Sequence, residues 1–240
     1  MGVQTVFIRY ELKYLLTFDQ KQAVLSAMDG RMELDRFGRT TIRNLYCDTD
    51  SYRLIRRSVD KPAYKEKLRL RSYQHIGQDS PVFVELKKKY DGVVCKRRIQ
   101  LPLGDAMAWV QLQRPCPRDT QIAREVDYFL HFYETLRPVV FLSYEREAYC
   151  PKDGSDFRVT FDDRILCRRE ALTLDSEVWG TPLLPQGKVL MELKCSGGIP
   201  MWMAQVLSRE GIYKTSFSKY GTAYETMIIP NSSQEVFPYV

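Results

Sequence analysis

Lys67-Leu68-Arg69-Leu70-Arg71 decides how this chain is read. On a β-strand successive side chains point to opposite faces, so Lys67, Arg69 and Arg71 share one face while Leu68 and Leu70 take the other. Three like charges in a row repel one another unless something anionic lies close by. A polar face of an antiparallel sheet is often simply solvated, and that reading suits this strand taken alone. Recurrence changes the odds. Val82 to Lys89 places Glu85, Lys87 and Lys89 on one face, ahead of the hairpin signal Asp91-Gly92. The returning strand, Val93 to Leu101, groups Lys96, Arg98 and Gln100 opposite Val93, Cys95, Ile99 and Leu101, with Arg97 on the apolar side reaching the rim.

Upstream, Val6, Ile8, Tyr10, Leu12, Tyr14 and Leu16 line one face of a strand, and Arg9, Glu11 and Lys13 line the other. Thr17-Phe18-Asp19-Gln20 reads as a capping box opening a helix to about Met28. Thr41 to Cys47 is a second strand, followed by a short helix with Tyr52, Leu54 and Ile55. Downstream, Gly104 to Gln113 and Thr120 to Leu136 have helical spacing, and Ile122, Val126, Phe129, Leu130 and Tyr133 form a core stripe. Strands return at Val139 to Tyr149, with Tyr144 and Arg146 in phase, and at Phe157 to Leu166, with Arg158, Thr160 and Asp162 in phase. Lys188 to Cys195 is the last clear strand and sets Glu192 beside Lys194. Met201 to Arg209 is a helix, and a final helix runs to about Met227.

A chain of 240 residues, 44% hydrophobic and 28% charged, has the composition of a soluble globular protein with a sizeable core. The net charge of +6 is moderate, but Lys and Arg gather in strand-like stretches. That distribution points to a concentrated anionic ligand rather than general adhesion. No apolar run is long enough to span a bilayer, and the N-terminus lacks the apolar core of a signal peptide. The six cysteines include no C-x-x-C pair and the two histidines stand far apart, which argues against a zinc site. Reduced, core-filling thiols in a cytoplasmic compartment are expected.

The strands are joined as hairpins or through short helical excursions, so the sheet is mainly antiparallel. Its shared polar face carries Lys13, Lys67, Arg69, Arg71, Lys87, Lys96, Arg98, Arg146, Arg158 and Lys194, with Glu11, Glu85, Asp162 and Glu192 in the same phase. A merely solvated face would mix the signs more evenly. The expected fold is therefore α+β: a closed, roughly eight-stranded antiparallel β-barrel with a polar, tunnel-like lumen and helices packed on its apolar outside. One domain over residues 1–229 and a tail over 230–240 are expected. Judged by its residues alone, Glu192 is as readily a salt-bridge partner of Lys194 or an arginine as a metal ligand.

Arg9-x-Glu11-x-Lys13, Lys67-x-Arg69-x-Arg71, Glu85-Leu86-Lys87, Arg146, Arg158, Glu192-Leu193-Lys194 and Phe217-Ser218-Lys219 follow in this order along nearly the whole chain. Together they resemble the triphosphate tunnel metalloenzymes, and within these most the polyphosphate polymerase (VTC-type) domain. The resemblance implies a closed barrel whose basic lumen binds a triphosphate and a divalent metal. It implies a catalytic, phosphate-binding set of Lys13, Arg69, Arg71, Lys87, Lys96, Arg146, Arg158 and Lys219. Arg9, Lys67, Arg98, Lys194 and Ser218 would add substrate contacts, and Glu192 would hold Mn²⁺ or Mg²⁺. The hydrolytic and cyclase branch opens with Glu-x-Glu-x-Lys; here Arg9 stands at the first glutamate position, which resembles the polymerase branch instead.

The implied activity is transfer of the γ-phosphate of ATP onto a growing inorganic polyphosphate chain, by an ATP-dependent phosphotransferase of the cytoplasm. A metal-dependent triphosphatase and a non-catalytic polyphosphate-binding module are the alternatives. Nucleic acid is not an expected partner, because Tyr10 and Tyr14 fall on the wrong face to stack bases beside the charges. A membrane-protein partner would be a separate chain.

Overall fold

A computed structural model of the chain describes residues 10–60, 62–91 and 93–232. Arg9, the start of the first strand, Gly92 of the hairpin signal and the last residues of the tail lie outside the described residues. In chain order the structure runs through β1 (Tyr10–Thr17), α1 (Phe18–Met28), β2 (Met32–Asp48), α2 (Arg53–Val59), β3 (Tyr64–Tyr73), β4 (Pro81–Tyr90) and β5 (Val93–Pro102). It continues through α3 (Leu103–Leu112), α4 (Gln121–Tyr133), β6 (Arg137–Pro151), β7 (Arg158–Arg168), β8 (Thr181–Pro182) and β9 (Lys188–Cys195). The last part holds α5 (Met201–Arg209), β10 (Lys214–Thr215), α6 (Lys219–Ala223), a wider π-helical turn (Tyr224–Ile228) and α7 (Ile229–Ser232). Among the described residues no helix is long and apolar enough to cross a membrane.

Local chemistry accounts for the start of α1. The Thr17 hydroxyl accepts from Gln20 N–H at 3.2 Å, and the Gln20 side chain accepts from Thr17 N–H at 2.9 Å, which satisfies two of the helix's open donors. Strand β2 begins at Met32, well ahead of the expected Thr41, and its register against β6 shifts between Leu34 and Arg39. The run Glu33, Asp35, Arg36, Gly38, Arg39 has no apolar alternation, so its pairing with the far end of β6 leaves no trace in hydrophobic periodicity.

Every long pairing is antiparallel, and the strand order is β10-β1-β9-β7-β6-β2-β3-β4-β5, with β8 attached to β7. This overturns the expected closed eight-stranded barrel. The sheet has ten strands and is not closed, and among the described residues no ladder joins β5 at one edge to β1 or β10 at the other. Side-chain alternation reports which face a residue occupies; closure is a matter of backbone pairing between edge strands, on which alternation is silent. The two additional strands are two residues each, too short to carry a period. The open sheet is nevertheless strongly curved. Lys87 of β4 comes within 3.6 Å of Glu11 of β1, although these strands lie near opposite ends of the order.

Three apolar clusters hold the curve. On the convex side Leu45, Leu68, Leu70, Val84, Leu86 and Leu101 pack against Trp109 of α3 and the α4 stripe Val126, Phe129, Leu130 and Tyr133. Elsewhere on that side Tyr14, Leu16, Val159, Phe161, Met191 and Leu193 meet Val24 and Met28 of α1 and Met203 and Val206 of α5. Arg97, on the apolar side as expected, pairs with Glu125 of α4 at 3.4 Å. The third cluster joins Ile42, Tyr46, Leu142, Tyr144 and Leu190 to Tyr220, Ala223 and Ile228, so the C-terminal helical segment packs into the concave side. Cys47, Cys167 and Cys195 are buried, and all six cysteines are free thiols.

Asp48 fastens that segment. Its carboxylate, fully buried, accepts from the backbone N–H groups of Thr49, Leu54 and Ile55 and from the Tyr220 hydroxyl, all at 2.8–2.9 Å. One side chain thus ties β2, the start of α2 and α6 together. Asp48→Ala is expected to cost about 2–4 kcal/mol, because it strands buried donors, whereas Tyr220→Phe, which removes one bond, costs about 1 kcal/mol. Urea unfolding midpoints of the two variants check this; a loss for Asp48→Ala no greater than that for Tyr220→Phe would refute the anchoring role.

Candidate functional site: a cationic concave face

The concave face is built from the alternate residues of β1 to β7 and β9 together with Lys219 at the start of α6. Its cations are organised by carboxylates. Glu85 of β4, buried to 1%, takes Arg69 Nε at 2.9 Å and Nη2 at 2.8 Å on one oxygen, with Lys96 Nζ 2.5 Å from the other. Arg71 Nε lies 4.0 Å away and donates instead to Asn44 Oδ1 at 2.9 Å, while its Nη2 donates to the Tyr144 hydroxyl at 3.2 Å. Arg69 Nη1 donates to the Tyr46 hydroxyl at 3.0 Å.

The second group centres on Asp162 of β7, whose side chain has no exposure. It accepts both prongs of the Arg146 guanidinium, at 2.6 and 2.7 Å, and Lys219 Nζ at 2.6 Å. Fork-to-fork pairing of this kind fixes orientation as well as charge. The Ser218 hydroxyl caps α6 by accepting from Gly221 N–H at 3.2 Å, and so sets the helical start from which Lys219 projects.

Glu192 of β9 is held differently. Lys194, Lys219, Lys13 and Arg146 surround it at 3.3, 3.5, 3.6 and 3.6 Å, all looser than the contacts of Asp162. Lys13 also reaches Glu11 at 3.6 Å and donates to the Phe217 carbonyl at 2.9 Å. Glu11 shares its other oxygen with Lys87. Of the remaining expected residues, Arg98 is exposed with its guanidinium 4.9 Å from the centre of the Phe83 ring. Arg158 is exposed at the start of β7, opposite Lys194 in register. Lys67 lies opposite Lys87 on the neighbouring strand, and no carboxylate among the described residues pairs with it.

These surroundings set the charge states. Burial works to raise Glu85, yet Arg69, Arg71 and Lys96 hold it down at about 2. Against the same burial Lys87, above all, keeps Glu11 at about 2. Asp162 and Glu192 are likewise driven below the usual carboxylate range, the first by Arg146 and Lys219 and the second by four cations. Lys67 moves the other way: burial, reinforced by Lys13, Lys87 and Lys65 against the pull of Tyr46, brings it down to about 8. Tyr46 is buried too, but Arg69, Lys67 and Arg71 lower its hydroxyl to about 8.

The structure thus brings together Lys13, Lys67, Arg69, Arg71, Lys87, Lys96, Arg146, Lys194, Lys219 and Glu192, leaves Arg98 and Arg158 at the rim, and gives Ser218 a capping bond. The organising groups Glu85, Asp162, Glu11, Asn44 and Tyr46 were not singled out as site residues in the sequence. Their signal was alternation in phase with the cations, but which cation each one meets depends on cross-strand register. Among the described residues no three His, Cys, Asp or Glu side chains gather as a metal cage. Glu192, ionised and only loosely contacted, suits a divalent cation that takes its other ligands from phosphate and water, as Mg²⁺ commonly does.

The contrast between the two buried carboxylates is testable without ligand. Asp162→Asn leaves two buried cations without their anion and is expected to cost about 3–5 kcal/mol. Glu192→Gln also removes a buried anion from among cations, but it breaks only contacts of 3.3–3.6 Å and is expected to cost measurably less than Asp162→Asn. Thermal and urea melts of both variants decide, and equal losses would overturn the distinction.

A family model described as VTC domain matches residues 8–228. No individually curated protein matches the chain. Among solved structures, a candidate adenylyl cyclase from Hippeastrum, reported with a dominant triphosphatase activity, gives a TM-score of 0.52 at 15% identity, over 95% of this chain and 97% of that one. A candidate adenylate cyclase from Bacillus halodurans gives 0.49 at 14% identity, over 99% and 96%. At such identity the Hippeastrum likeness speaks for the fold alone. The family match spans nearly the whole chain and every strand that builds the cationic face. The chain belongs to the VTC domain family.

Proposed function

We propose that the protein is a polyphosphate polymerase, transferring the γ-phosphate of ATP onto an inorganic polyphosphate chain along its concave face. The observation that carries this reading is the length of the cationic track. From Arg71 through Arg69 to Lys67 the charges extend over about 13 Å of β3 alone. They are flanked by Lys87, Lys96, Lys13 and Lys219 from other elements, and Lys67 stands opposite a lysine rather than a carboxylate. Directly opposed like charges are unfavourable in a sheet and become favourable once a polyanion lies between them.

In the transfer, the bond from the γ-phosphorus to the terminal ADP oxygen breaks as a terminal phosphate oxygen of the chain bonds to that phosphorus. No side-chain nucleophile is required, since phosphoryl transfer depends mainly on alignment and on neutralising charge. Arg69, Arg71 and Arg146 offer planar forks, pre-set by Glu85, Asn44 and Asp162, that hold phosphate oxygens in fixed orientation. Lys13, Lys67, Lys87, Lys96 and Lys219 add point charges to the track. A divalent cation at Glu192 would supply further neutralisation of phosphate oxygens. The exposed lysines and arginines of the rim, among them Arg158 and Arg98, draw the polyanion in.

The reaction outcome tests the proposal. With γ-labelled ATP and Mn²⁺, we expect ADP and a ladder of labelled, acid-labile polymer. Free phosphate as the dominant early product would replace the polymerase with a triphosphatase. Absence of turnover together with tight polyphosphate binding would leave a binding module.

Proton linkage tests the binding half separately. In the free protein Lys67 loses its charge, and Tyr46 gains one, as pH rises through about 8. A bound polyanion favours the protonated forms of both. Tripolyphosphate binding at pH 8 should therefore take up protons, and affinity should fall from pH 7 to pH 9. Calorimetry in buffers of different ionisation enthalpy reads the uptake; heats independent of the buffer would count against Lys67 and Tyr46 lining the ligand path.

A further inference from the structure

The concave face holds two aromatic rings that none of the three apolar clusters includes. Phe83 of β4 is in phase with Glu85 and Lys87, and Tyr73 of β3 is in phase with Arg69 and Arg71. Neither belongs to a core cluster, and Tyr73 is 43% exposed. The rings meet edge to face, with centroids 5.9 Å apart and planes at 81°. Tyr46 and Tyr144, also on this face, spend their hydroxyls on Arg69 and Arg71, whereas the structure gives Tyr73 and Phe83 no such task.

Register fixes where the pair stands. Phe83 lies directly between Arg71 on β3 and Gln100 on β5, and the next concave row is Arg69, Glu85, Arg98. Rows on one face of a strand are about 6.7 Å apart, so the Phe83 ring stands one such step from the Glu85 cluster. Arg98 spans the step, with its guanidinium 4.9 Å from the Phe83 centroid. An apolar, partly open ring pair at the end of a phosphate track, bridged to it by an arginine, matches the layout of a nucleotide: a flat base, then a charged phosphate chain.

We propose that Tyr73 and Phe83 form the platform on which the purine base of the nucleoside triphosphate stacks, with Arg98 between the base and its phosphates. This rests on the track binding triphosphates, and it assigns the uncharged base, which point charges do not select. Stacking of a base on an aromatic ring is sequence-tolerant, because every base presents a π-face, so ATP and GTP are both accepted. The Gln100 amide, exposed and opposite Phe83, is the polar group nearest in register to a base edge.

The test compares ATP with inorganic tripolyphosphate, which has the same phosphates and no base. Calorimetry is run on the wild-type chain, on Phe83→Leu, which keeps apolar volume but loses the π-face, and on Tyr73→Ser at the exposed ring. The expected result is ATP affinity weakened about tenfold in each variant, with tripolyphosphate affinity unchanged. Equal weakening of both ligands would mean the rings only shape the track, and unchanged ATP affinity would place the base elsewhere; either overturns the platform while leaving the triphosphate track standing. If the wild-type chain binds neither ligand, the platform and the track fall together.

Discussion

The Asp162 carboxylate, closed off from solvent between Arg146 and Lys219, joins the sheet to the C-terminal helical segment. An isolated buried carboxylate is expensive, and so are two buried cations. Their combination, with three bonds of 2.6–2.7 Å, makes each tolerable and gives the two cations fixed positions. Much else depends on that placement. Lys219 leads directly into Tyr220, which stacks on Tyr46 with centroids 4.9 Å apart and donates to Asp48. Tyr46 in turn accepts from Arg69, which is held by Glu85. Asp162, Asp48 and Glu85 therefore act as three nails through one polar layer, and the cations between them are oriented before any phosphate arrives.

That orientation is bought against stability, and Lys67 shows where the strain sits. Its charged form is disfavoured by burial and by neighbouring lysines, so its pKa lies near 8 rather than at the usual 10.5. The penalty is present in full below about pH 8, where the lysine is charged both folded and unfolded, and it fades as pH rises toward 10.5. Near neutral pH the free protein thus carries a cost that a polyanion relieves. Glu85 does the reverse: held at about 2, it adds stability above the ordinary carboxylate range that is lost as pH falls toward 2. The site combines anchored cations, whose position is secured, with an unanchored one whose charge is left for the ligand.

Much of this was legible in the sequence, because alternation is a local property. Lys67-Leu68-Arg69-Leu70-Arg71 divides its charges and leucines between faces as the strand geometry demands, and Leu68 and Leu70 are fully buried. The Thr17 capping box and the α4 stripe were readable for the same reason. Closure was not. Whether β5 meets β1 depends on how far the sheet bends, and the bend is set by three apolar clusters whose members are scattered along the chain. Cross-strand partners were equally out of reach: nothing in the sequence near Asn44 says that it faces Arg71, or near Asp162 that it faces Arg146. The aromatic pair leaves little trace in the sequence, because Tyr73 and Phe83 stand near the ends of strands whose dominant pattern is charge alternating with apolar residues, whereas Tyr10 and Tyr14 belong to the first strand's apolar side.

The open edge gives the cations of β5 a second role. An exposed edge strand presents unpaired backbone groups to any other strand, and natural sheets guard such edges with charge and proline. Strand β5 carries Lys96, Arg97 and Arg98 along its middle and ends at Pro102. Two of these charges face the concave side and one the convex side. Lys96 is paired with Glu85 and Arg97 with Glu125, and exposed Arg98, set against the Phe83 ring, is the cation most open to an approaching strand. A closed barrel would have no use for this protection. On an open sheet the same residues can serve both needs, turning away another protein's edge while attracting an extended polyanion, which has no backbone donors to pair with the strand and much to gain from its charges.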